Sequence, residues 1–212
     1  MFDGDEMNMH IPRSYQTQVE LEELAAVPTQ VVSPQGSKPV MGLVQDAMLA
    51  CFRWTLSENY LNYRQVMHLL ACTSTYDGQL PPPDFPKERL WKAQSIISTI
   101  LPKFTLIKKD SDKVNSVEIV HGDFKDGVWS KDSVGGKIGN IIHAVWKDFG
   151  PETTRLFLDN IMNLTMQWLL IDGFSIGMRD TVIPDSTKKQ VEETIETVYK
   201  KISKKISDLR KY

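Results

Sequence analysis

The chain has 212 residues, of which 41% are hydrophobic and 25% are charged, and its net charge is −2. This length suits one large domain or two small ones, and the composition is ordinary for a soluble globular protein. The balanced charge argues against a chain that is basic throughout and binds nucleic acid by charge alone. No apolar run approaches the roughly 20 residues of a membrane helix, so we expect a soluble intracellular protein with no membrane partner. Cys51 and Cys72 lack metal-ligand spacing and are expected to be reduced thiols.

Capping and breaking residues outline the first elements of the chain. Ser14 can cap a helix over residues 16–26, and Pro28 ends that helix because proline has no amide hydrogen to donate. Short strands are predicted over residues 29–32 and 40–44, because a connection rich in proline, glycine and serine separates two β-type runs.

The rest of the chain alternates between helical periodicity and short β-type runs. Helices are predicted over residues 45–52, 58–72, 90–101, 140–149 and 152–171, the last two separated by Gly150-Pro151. Strands are predicted over residues 104–108, 117–120 and 128–131, with a hairpin signal at Asp126-Gly127. The pattern indicates an α+β fold, in which helices mix with short, mostly antiparallel strands and a long amphipathic helix ends the chain.

The final helix begins at Asp185 or Ser186 and carries an apolar stripe. The stripe consists of Val191, Ile195, Val198, Ile202, Ile206 and Leu209, at spacings of three and four residues. Such a stripe predicts a partner helix. The outer face is basic and contains Lys200, Lys201, Lys204, Lys205, Arg210 and Lys211. Solvation of this basic face is a sufficient explanation for it.

Residues 133–140 form a glycine-rich segment that could be a phosphate-binding loop. Its core, Gly135-Gly136-Lys137, lacks the GxxxxGK[ST] spacing of such loops. A flexible connector is therefore expected here.

The first residues, Met1-Phe2-Asp3-Gly4-Asp5-Glu6, place three acids within four positions. Asp3 and Asp5 are two residues apart and project to the same side of an extended or turned segment, and Gly4 between them permits a sharp bend. Carboxylate oxygens on one side of a bend suit Mg²⁺, which leaves room for substrate phosphates. On composition alone, a solvated acidic terminus explains the same residues. A calcium loop is a weaker alternative, because the twelve-residue ligand spacing is absent.

Collinear blocks spread over almost the whole chain resemble one family. The blocks FDGDEMN, HIPRS, VVSPQGSKPVMGLVQD, Leu90-Trp91 and WLLIDGFSIGMRDT, with the lysine-rich last helix, resemble the largest subunit of multisubunit DNA-directed RNA polymerases. In that family three aspartates hold the metal that activates the growing RNA 3′ hydroxyl. Asp3 and Asp5 match the second and third, and Met1 stands where the first would be. The resemblance implies a fragment that begins inside the catalytic motif.

The resemblance also implies a branch and a division into domains. Glu6-Met7-Asn8 with Met9-His10, and the block SPQGSKPVMGLVQD, resemble the RNA polymerase II type of eukaryotes and large DNA viruses. A nuclear location is implied, or the cytoplasm or virion for a viral relative. Residues 1–30 resemble the end of the active-site region, residues 31–183 a pore-like α+β domain, and residues 184–212 the start of the helical funnel. Asp180 matches an aspartate of the family's GFSxGxxD stretch and is interpreted as structural, capping or orienting that turn.

The function implied is nucleotidyl transfer in transcription, with Mg²⁺ held by Asp3 and Asp5. Lys38, Gln45 and Asp46 are expected to line the pore through which nucleotides enter, although a solvated loop lysine explains Lys38 equally well. The implied partners are other polymerase subunits, the second-largest in particular, together with template DNA, RNA, nucleoside triphosphates and a transcript-cleavage factor at the pore. The 212-residue chain alone is expected to be inactive.

An alternative function is a free-standing, non-catalytic interaction module that docks on polymerase subunits or elongation factors. The apolar stripe over residues 191–209 and the incomplete metal motif favour it. Binding to isolated polymerase subunits, compared with metal-dependent elongation, separates the two hypotheses.

Overall fold

The computed structural model describes residues 4, 6–56, 59–108 and 116–209. The chain divides into two units, Met1–Asp172 and Gly173–Tyr212. Helices and short antiparallel strands mix along the first unit, and a long helix dominates the second. The predicted α+β class is therefore confirmed.

The first unit contains most of the secondary structure. Its helices are α1 Tyr15–Glu23, α2 Gln45–Thr55, α3 Tyr63–Ala71, α4 Ala93–Ser98, α5 Lys131–Val134 and α6 Ile141–Asp172, with a 3₁₀ helix at Val27–Gln30. Its strands are β1 Val32–Ser33, β2 Lys38–Pro39, β3 Tyr60–Asn62, β4 Leu90–Lys92, β5 Leu106–Lys108, β6 Val117–Val120 and β7 Asp123–Gly127. The described strands pair antiparallel as β1–β2, β3–β4 and β5–β6–β7.

Local signals set the start of α1 and the break in α6 as predicted, whereas α1 ends at Glu23 and the predicted stop, Pro28, lies inside the following 3₁₀ helix. The Ser14 hydroxyl accepts the Thr17 amide at 3.2 Å and caps α1. Residues 141–172 are continuous except at Gly150, whose φ of 84° is not helical. The helix resumes at Pro151. Proline suits a first helical position, because an amide hydrogen at that position has no acceptor within the helix. The prediction of two helices separated by Gly150-Pro151 is confirmed.

One part of the core of the first unit lies between α2 and α6. Trp54 of α2 is fully buried and meets Trp168 of α6 edge to face, with ring centroids 5.3 Å apart. The Trp54 indole N–H donates to the Ala93 carbonyl at 2.6 Å, which fixes the start of α4 against α2. Both cysteines are free. Burial raises the pKa of the Cys51 thiol well above its usual value, so Cys51 is a packed, unreactive thiol.

Two predicted helices begin as strands. Residues 60–62 and 90–92 pair as β3 and β4, so α3 starts at Tyr63 and α4 at Ala93. Leu61 faces Trp91 across the pair and both side chains are buried, whereas Tyr60 and its partner Lys92 are exposed. This alternation is the strand period, and a pairing between distant segments overrides the local helical spacing.

The other strand predictions need corrections of position. The third strand of the last sheet is β7 at 123–127, not 128–131, because the turn falls at His121-Gly122 with Gly122 at a φ of 85°. The hairpin predicted at Asp126-Gly127 is therefore wrong, since both residues lie within β7. In the first hairpin, the strands are two residues each at 32–33 and 38–39, and residues 27–30 form the 3₁₀ helix. Only residues 117–120 match their predicted strand at both ends.

The second unit consists of a turn, a 3₁₀ helix at Met178–Thr181 and the helix α7 at Asp185–Leu209. No described residue of α7 is buried. Exposure along the predicted apolar stripe runs from 46% at Ile206 to 75% at Leu209. Within the described part of the chain, no helix is both long enough and apolar enough to span a bilayer.

Candidate functional site

The acidic motif lies almost entirely outside the described residues. Asp3 and Asp5 are not described, and Gly4 between them has a φ of 86° with open space where a Cβ would be. This left-handed conformation fits the bend predicted for Gly4. Two carboxylates beside such a bend have the donor chemistry that Mg²⁺ takes. Elsewhere in the described chain, no cluster of three or more His, Cys, Asp or Glu side chains is able to hold a metal ion.

Lys38 lies on a tight hairpin. It opens β2 and pairs with Ser33, and its exposed side chain lies over Gly36, where a Cβ would be 3.4 Å from the Lys38 Cγ and Cε. Ser37 has a φ of 46°, a left-handed conformation that a residue other than glycine rarely adopts. Lys38 forms no ion pair with another described residue. Its charge is therefore presented to solvent from a constrained turn.

Gln45 and Asp46 form the exposed start of α2. Gln45 has a φ of 51°, although it is the first residue of the helix, and both side chains are exposed. Asp46 lies in the first turn, where a carboxylate interacts favourably with the helix dipole. Gln45 is thus strained at an exposed helix start, a combination that is common at functional sites.

The segment between these residues packs against the glycine-rich segment 133–140. A Cβ on Gly42 would lie 2.8 Å from the Gly135 carbonyl carbon, and the Leu43 amide donates to the Val134 carbonyl at 3.0 Å. Gly136 lies nearly as close to Pro39, since a Cβ on Gly136 would be 3.0 Å from the Pro39 carbonyl oxygen. The prediction of a flexible connector at 133–140 is therefore wrong: the glycines permit close backbone packing.

Side-chain bonds hold this glycine segment in place. Asn140 is fully buried; its amide donates to the Gly135 carbonyl, and its oxygen accepts the His143 amide at 2.8 Å and caps α6. Asp132 pairs with Lys137 at 2.5 Å, and this hydrogen bond holds the pKa of the Asp132 carboxyl below its usual value. The segment between the hairpin and the start of α2 thus packs against a glycine-rich segment that side-chain bonds hold in one conformation.

A cavity of about 420 Å³ opens beside the hairpin. It is lined by Thr29, Gln30, Val32, Ser33, Pro34, Ser37, His143 and Trp146. Sequence reasoning missed both this cavity and the glycine packing. The only local signal was the spacing of His143 and Trp146, which puts them on one face of α6.

The turn that opens the second unit agrees with its sequence interpretation. The Asp180 Oδ2 accepts the Gly177 amide at 2.9 Å, as in a capping box. Asp180 therefore has the structural role predicted for it.

Two family models match adjacent parts of this chain. The family described as RNA polymerase Rpb1, domain 3, matches residues 30–181, and the family described as RNA polymerase Rpb1, domain 2, matches residues 1–27. These matches define a component of DNA-directed RNA polymerase, a nucleotidyltransferase. The domain 3 match alone covers most of the chain, and so the chain belongs to the RNA polymerase Rpb1 family, the largest subunit of multisubunit RNA polymerases.

Membership of this family carries two general consequences. Its polymerases use Mg²⁺, and its members assemble with other polymerase subunits. The constrained hairpin, the strained start of α2 and their glycine support all lie within the residues that match domain 3.

Proposed function

We propose that this chain forms part of the active centre and pore wall of a DNA-directed RNA polymerase. In the reaction, the 3′ hydroxyl of the growing RNA attacks the α-phosphate of a nucleoside triphosphate, and pyrophosphate leaves. Asp3 and Asp5 hold Mg²⁺, and residues 31–183 form the wall of the pore through which nucleotides enter. When bound, the metal supplies charge that lowers the pKa of the attacking hydroxyl and stabilises the leaving oxygen.

The residues proposed to line the pore are Lys38, Gln45 and Asp46. The observation that supports this most is the φ of 51° at Gln45, an exposed residue held in a rare conformation at the start of α2. The exposed ammonium of Lys38 attracts a triphosphate electrostatically.

A kinetic comparison in the assembled polymerase tests the pore residues. Lys38→Ala is expected to raise the KM for nucleoside triphosphates several-fold with little change in kcat, because an entry residue contributes binding that is equal in the ground and transition states. Lys147→Ala, on an exposed part of α6, is the matched control. An unchanged KM, or a loss in kcat alone, would contradict a role in nucleotide entry.

We also propose that the polymerase is of the RNA polymerase II type and acts in the nucleus, or in the cytoplasm or virion for a viral relative. The residues that support this are Glu6-Met7-Asn8-Met9-His10 and the SPQGSKPVMGLVQD block. Its further partners are then the second-largest subunit, template DNA, RNA and a transcript-cleavage factor at the pore. Copurification of the tagged chain from its own cells, with fractionation of nuclei, tests both statements.

A second candidate function is a non-catalytic module that docks on polymerase subunits or elongation factors. The exposed stripe on α7 favours it, because such a face is normally covered. Under this alternative, Asp3→Asn leaves elongation by the assembled polymerase unchanged, whereas Ile202→Lys prevents the chain from joining the complex.

A further inference from the structure

Partly exposed aromatic rings lie on and beside the β3–β4 pair. Tyr60 and Phe85 meet edge to face with ring centroids 5.5 Å apart, yet Tyr60 remains 49% exposed and Phe85 38% exposed. Tyr63 leans on the buried Trp91 at 6.4 Å and is 51% exposed. Three half-exposed aromatic rings on one small sheet exceed what folding of this unit requires, since Leu61 and Trp91 already fill its inner face.

Four cationic residues are neighbours of these rings in the strand pair or along the chain. Lys92 lies opposite Tyr60 in the strand pair, and Arg64 follows Tyr63 at the start of α3. Lys87 and Arg89 lie in the short loop between Phe85 and Leu90. None of these four cations forms an ion pair within the described chain. The rings and cations together, Tyr60, Tyr63, Phe85, Arg64, Lys87, Arg89 and Lys92, are called the aromatic–basic patch.

The carboxylates near the patch do not neutralise it. Both oxygens of Asp84 are engaged within the chain: Oδ2 accepts the Lys92 amide at 2.7 Å, and Oδ1 accepts the Ser95 hydroxyl at 2.9 Å. Glu88 is the other acid of this loop. Among the described residues of segments 59–64 and 84–92, four cations lie beside two carboxylates, in a chain whose net charge is −2.

The loop that carries Arg89 is held in a strained conformation. Phe85 and Leu90 exchange backbone hydrogen bonds of 3.0 and 3.3 Å, which close the hairpin around residues 86–89. Arg89 has a φ of 51°, where glycine would be favoured. Strained residues are common at functional sites, and Arg89 combines a strained backbone with an exposed guanidinium.

We propose that the aromatic–basic patch docks an acidic segment of a partner polypeptide that also carries apolar or aromatic side chains. Tyrosine and arginine are the residues that dominate the centres of protein interfaces, and both are exposed here. In the described part of segments 59–64 and 84–92, four cations against two acids, of which Asp84 is engaged, favour a partner of negative charge. A nucleic-acid strand fits less well, because stacking needs open ring faces and these rings already pack against Phe85 and Trp91.

The test measures binding of three labelled probes to the full chain by fluorescence anisotropy. The first is a peptide that alternates glutamate with phenylalanine, the second replaces its glutamates by lysines, and the third is a single-stranded oligouridylate of matched length. The acidic peptide is expected to bind, to weaken several-fold when salt is raised to about 0.3 M, and to shift backbone amide resonances at residues 60–64 and 85–92.

Arg89→Gly is the central variant, because glycine adopts the φ of 51° without strain and so preserves the hairpin while removing the guanidinium. Arg89→Gly is expected to lower the affinity for the acidic peptide at least about fivefold, with the Tm of the chain unchanged or raised. Tyr60→Thr, which keeps a residue favoured in strands, is expected to do the same. Lys147→Gln, which removes a cation from α6, should leave the affinity for the acidic peptide unchanged. Should Tyr60→Thr lower Tm, the exposed Lys87→Gln replaces it.

Three outcomes overturn the proposal. One is that the acidic peptide does not bind, or binds no better than the lysine peptide. Another is that Arg89→Gly binds it as tightly as the original chain. The third is tighter binding of oligouridylate that the same variants abolish, which would make the patch a nucleic-acid surface.

Discussion

Gly42 packs against the backbone of Gly135 so closely that a Cβ on Gly42 would lie 2.8 Å from the Gly135 carbonyl carbon. Two segments that are far apart in the sequence therefore meet without side chains between them. The Leu43 amide then reaches the Val134 carbonyl at 3.0 Å. This contact fixes the connection between the hairpin of Lys38 and the start of α2, and with it the proposed pore residues.

Replacement of Gly42 by alanine should therefore destabilise the first unit. A new methyl group must push backbone atoms apart, and overpacking of this kind costs roughly 1–3 kcal/mol of unfolding free energy. Gly36→Ala is the matched control, because its Cβ would touch only the flexible Lys38 side chain at 3.4 Å. Urea denaturation of both variants measures the difference. Equal midpoints for Gly42→Ala and Gly36→Ala would mean that the close approach does not occur in solution.

The hydroxyl of Thr55 should contribute more than an ordinary buried hydroxyl. It accepts the buried Trp129 amide at 2.9 Å and donates to the Cys51 carbonyl at 3.0 Å. Thr55→Val leaves the backbone N–H of Trp129 without this acceptor, which should lower the free energy of unfolding by about 1–3 kcal/mol. Thr165→Val is the control, because the equally buried Thr165 hydroxyl donates only within α6. Thermal unfolding that ranks the two variants in the opposite order would contradict this role.

The pair of Asp132 and Lys137 should make stability depend on acid pH. The pKa of Asp132 is lowered in the folded protein, chiefly by the hydrogen bond from Lys137. The contribution of this pair to the free energy of unfolding is therefore complete above the pKa of Asp132 in the unfolded chain, about 3.9. It is lost as the pH falls through the lower pKa of the folded protein. Lys137→Gln should cost up to about 1 kcal/mol near neutral pH, because the lysine is largely exposed.

The loss of unfolding free energy caused by Lys137→Gln should disappear at a pH at which Asp132 is protonated in both the folded and the unfolded protein. Titration of the Asp132 carboxyl carbon by nuclear magnetic resonance should show its midpoint move upward in that variant. A midpoint that stays in place would assign the lowered pKa to another cause. Lys125→Gln, at an exposed pair with Asp123, is a control that should leave the Asp132 midpoint unchanged.

Metal binding by this chain alone should be weak and should depend on Asp3 and Asp5. Two carboxylates next to a bend supply few ligands, and Mg²⁺ gives up its waters reluctantly. Electron paramagnetic resonance with Mn²⁺ should detect loose binding that Asp3→Asn and Asp5→Asn each remove, while Glu6→Gln retains it. A tight stoichiometric site that survives Asp3→Ala in calorimetry would rule out these ligands.

The helix α7 should exchange its amide hydrogens faster than α6 in a dilute solution. Isolated helices are marginal in water, and none of the described residues of α7 is buried. At higher concentration the stripe should drive self-association, which Ile202→Lys abolishes and Lys201→Gln on the flank does not. Protection over 191–209 that equals protection over 152–171 in a monomer would contradict this expectation.

The sequence by itself determined those elements whose signals are local. Ser14 caps α1 through a bond to a residue three positions away, Gly150-Pro151 interrupts α6, and Asp180 closes its turn on Gly177. The stripe of α7 follows from its helical spacing alone. Each of these depends on neighbours within a turn or two, so the order of residues is enough to specify it. The blocks that resemble the polymerase family are also read directly from that order.

Only the tertiary structure decided which apolar runs are strands and what the glycines do. Residues 60–62 and 90–92 have helical spacing with the residues that follow them, but the pairing of Leu61 with Trp91 makes them strands. Gly135 and Gly136 look like a flexible connector until Gly42 and Pro39 are packed against them. In both cases the deciding partner lies tens of residues away in the sequence. The contact with that distant partner contributes more to stability than the local helix or strand propensity, which is about 1 kcal/mol or less per residue. The sequence pattern reports only this local propensity.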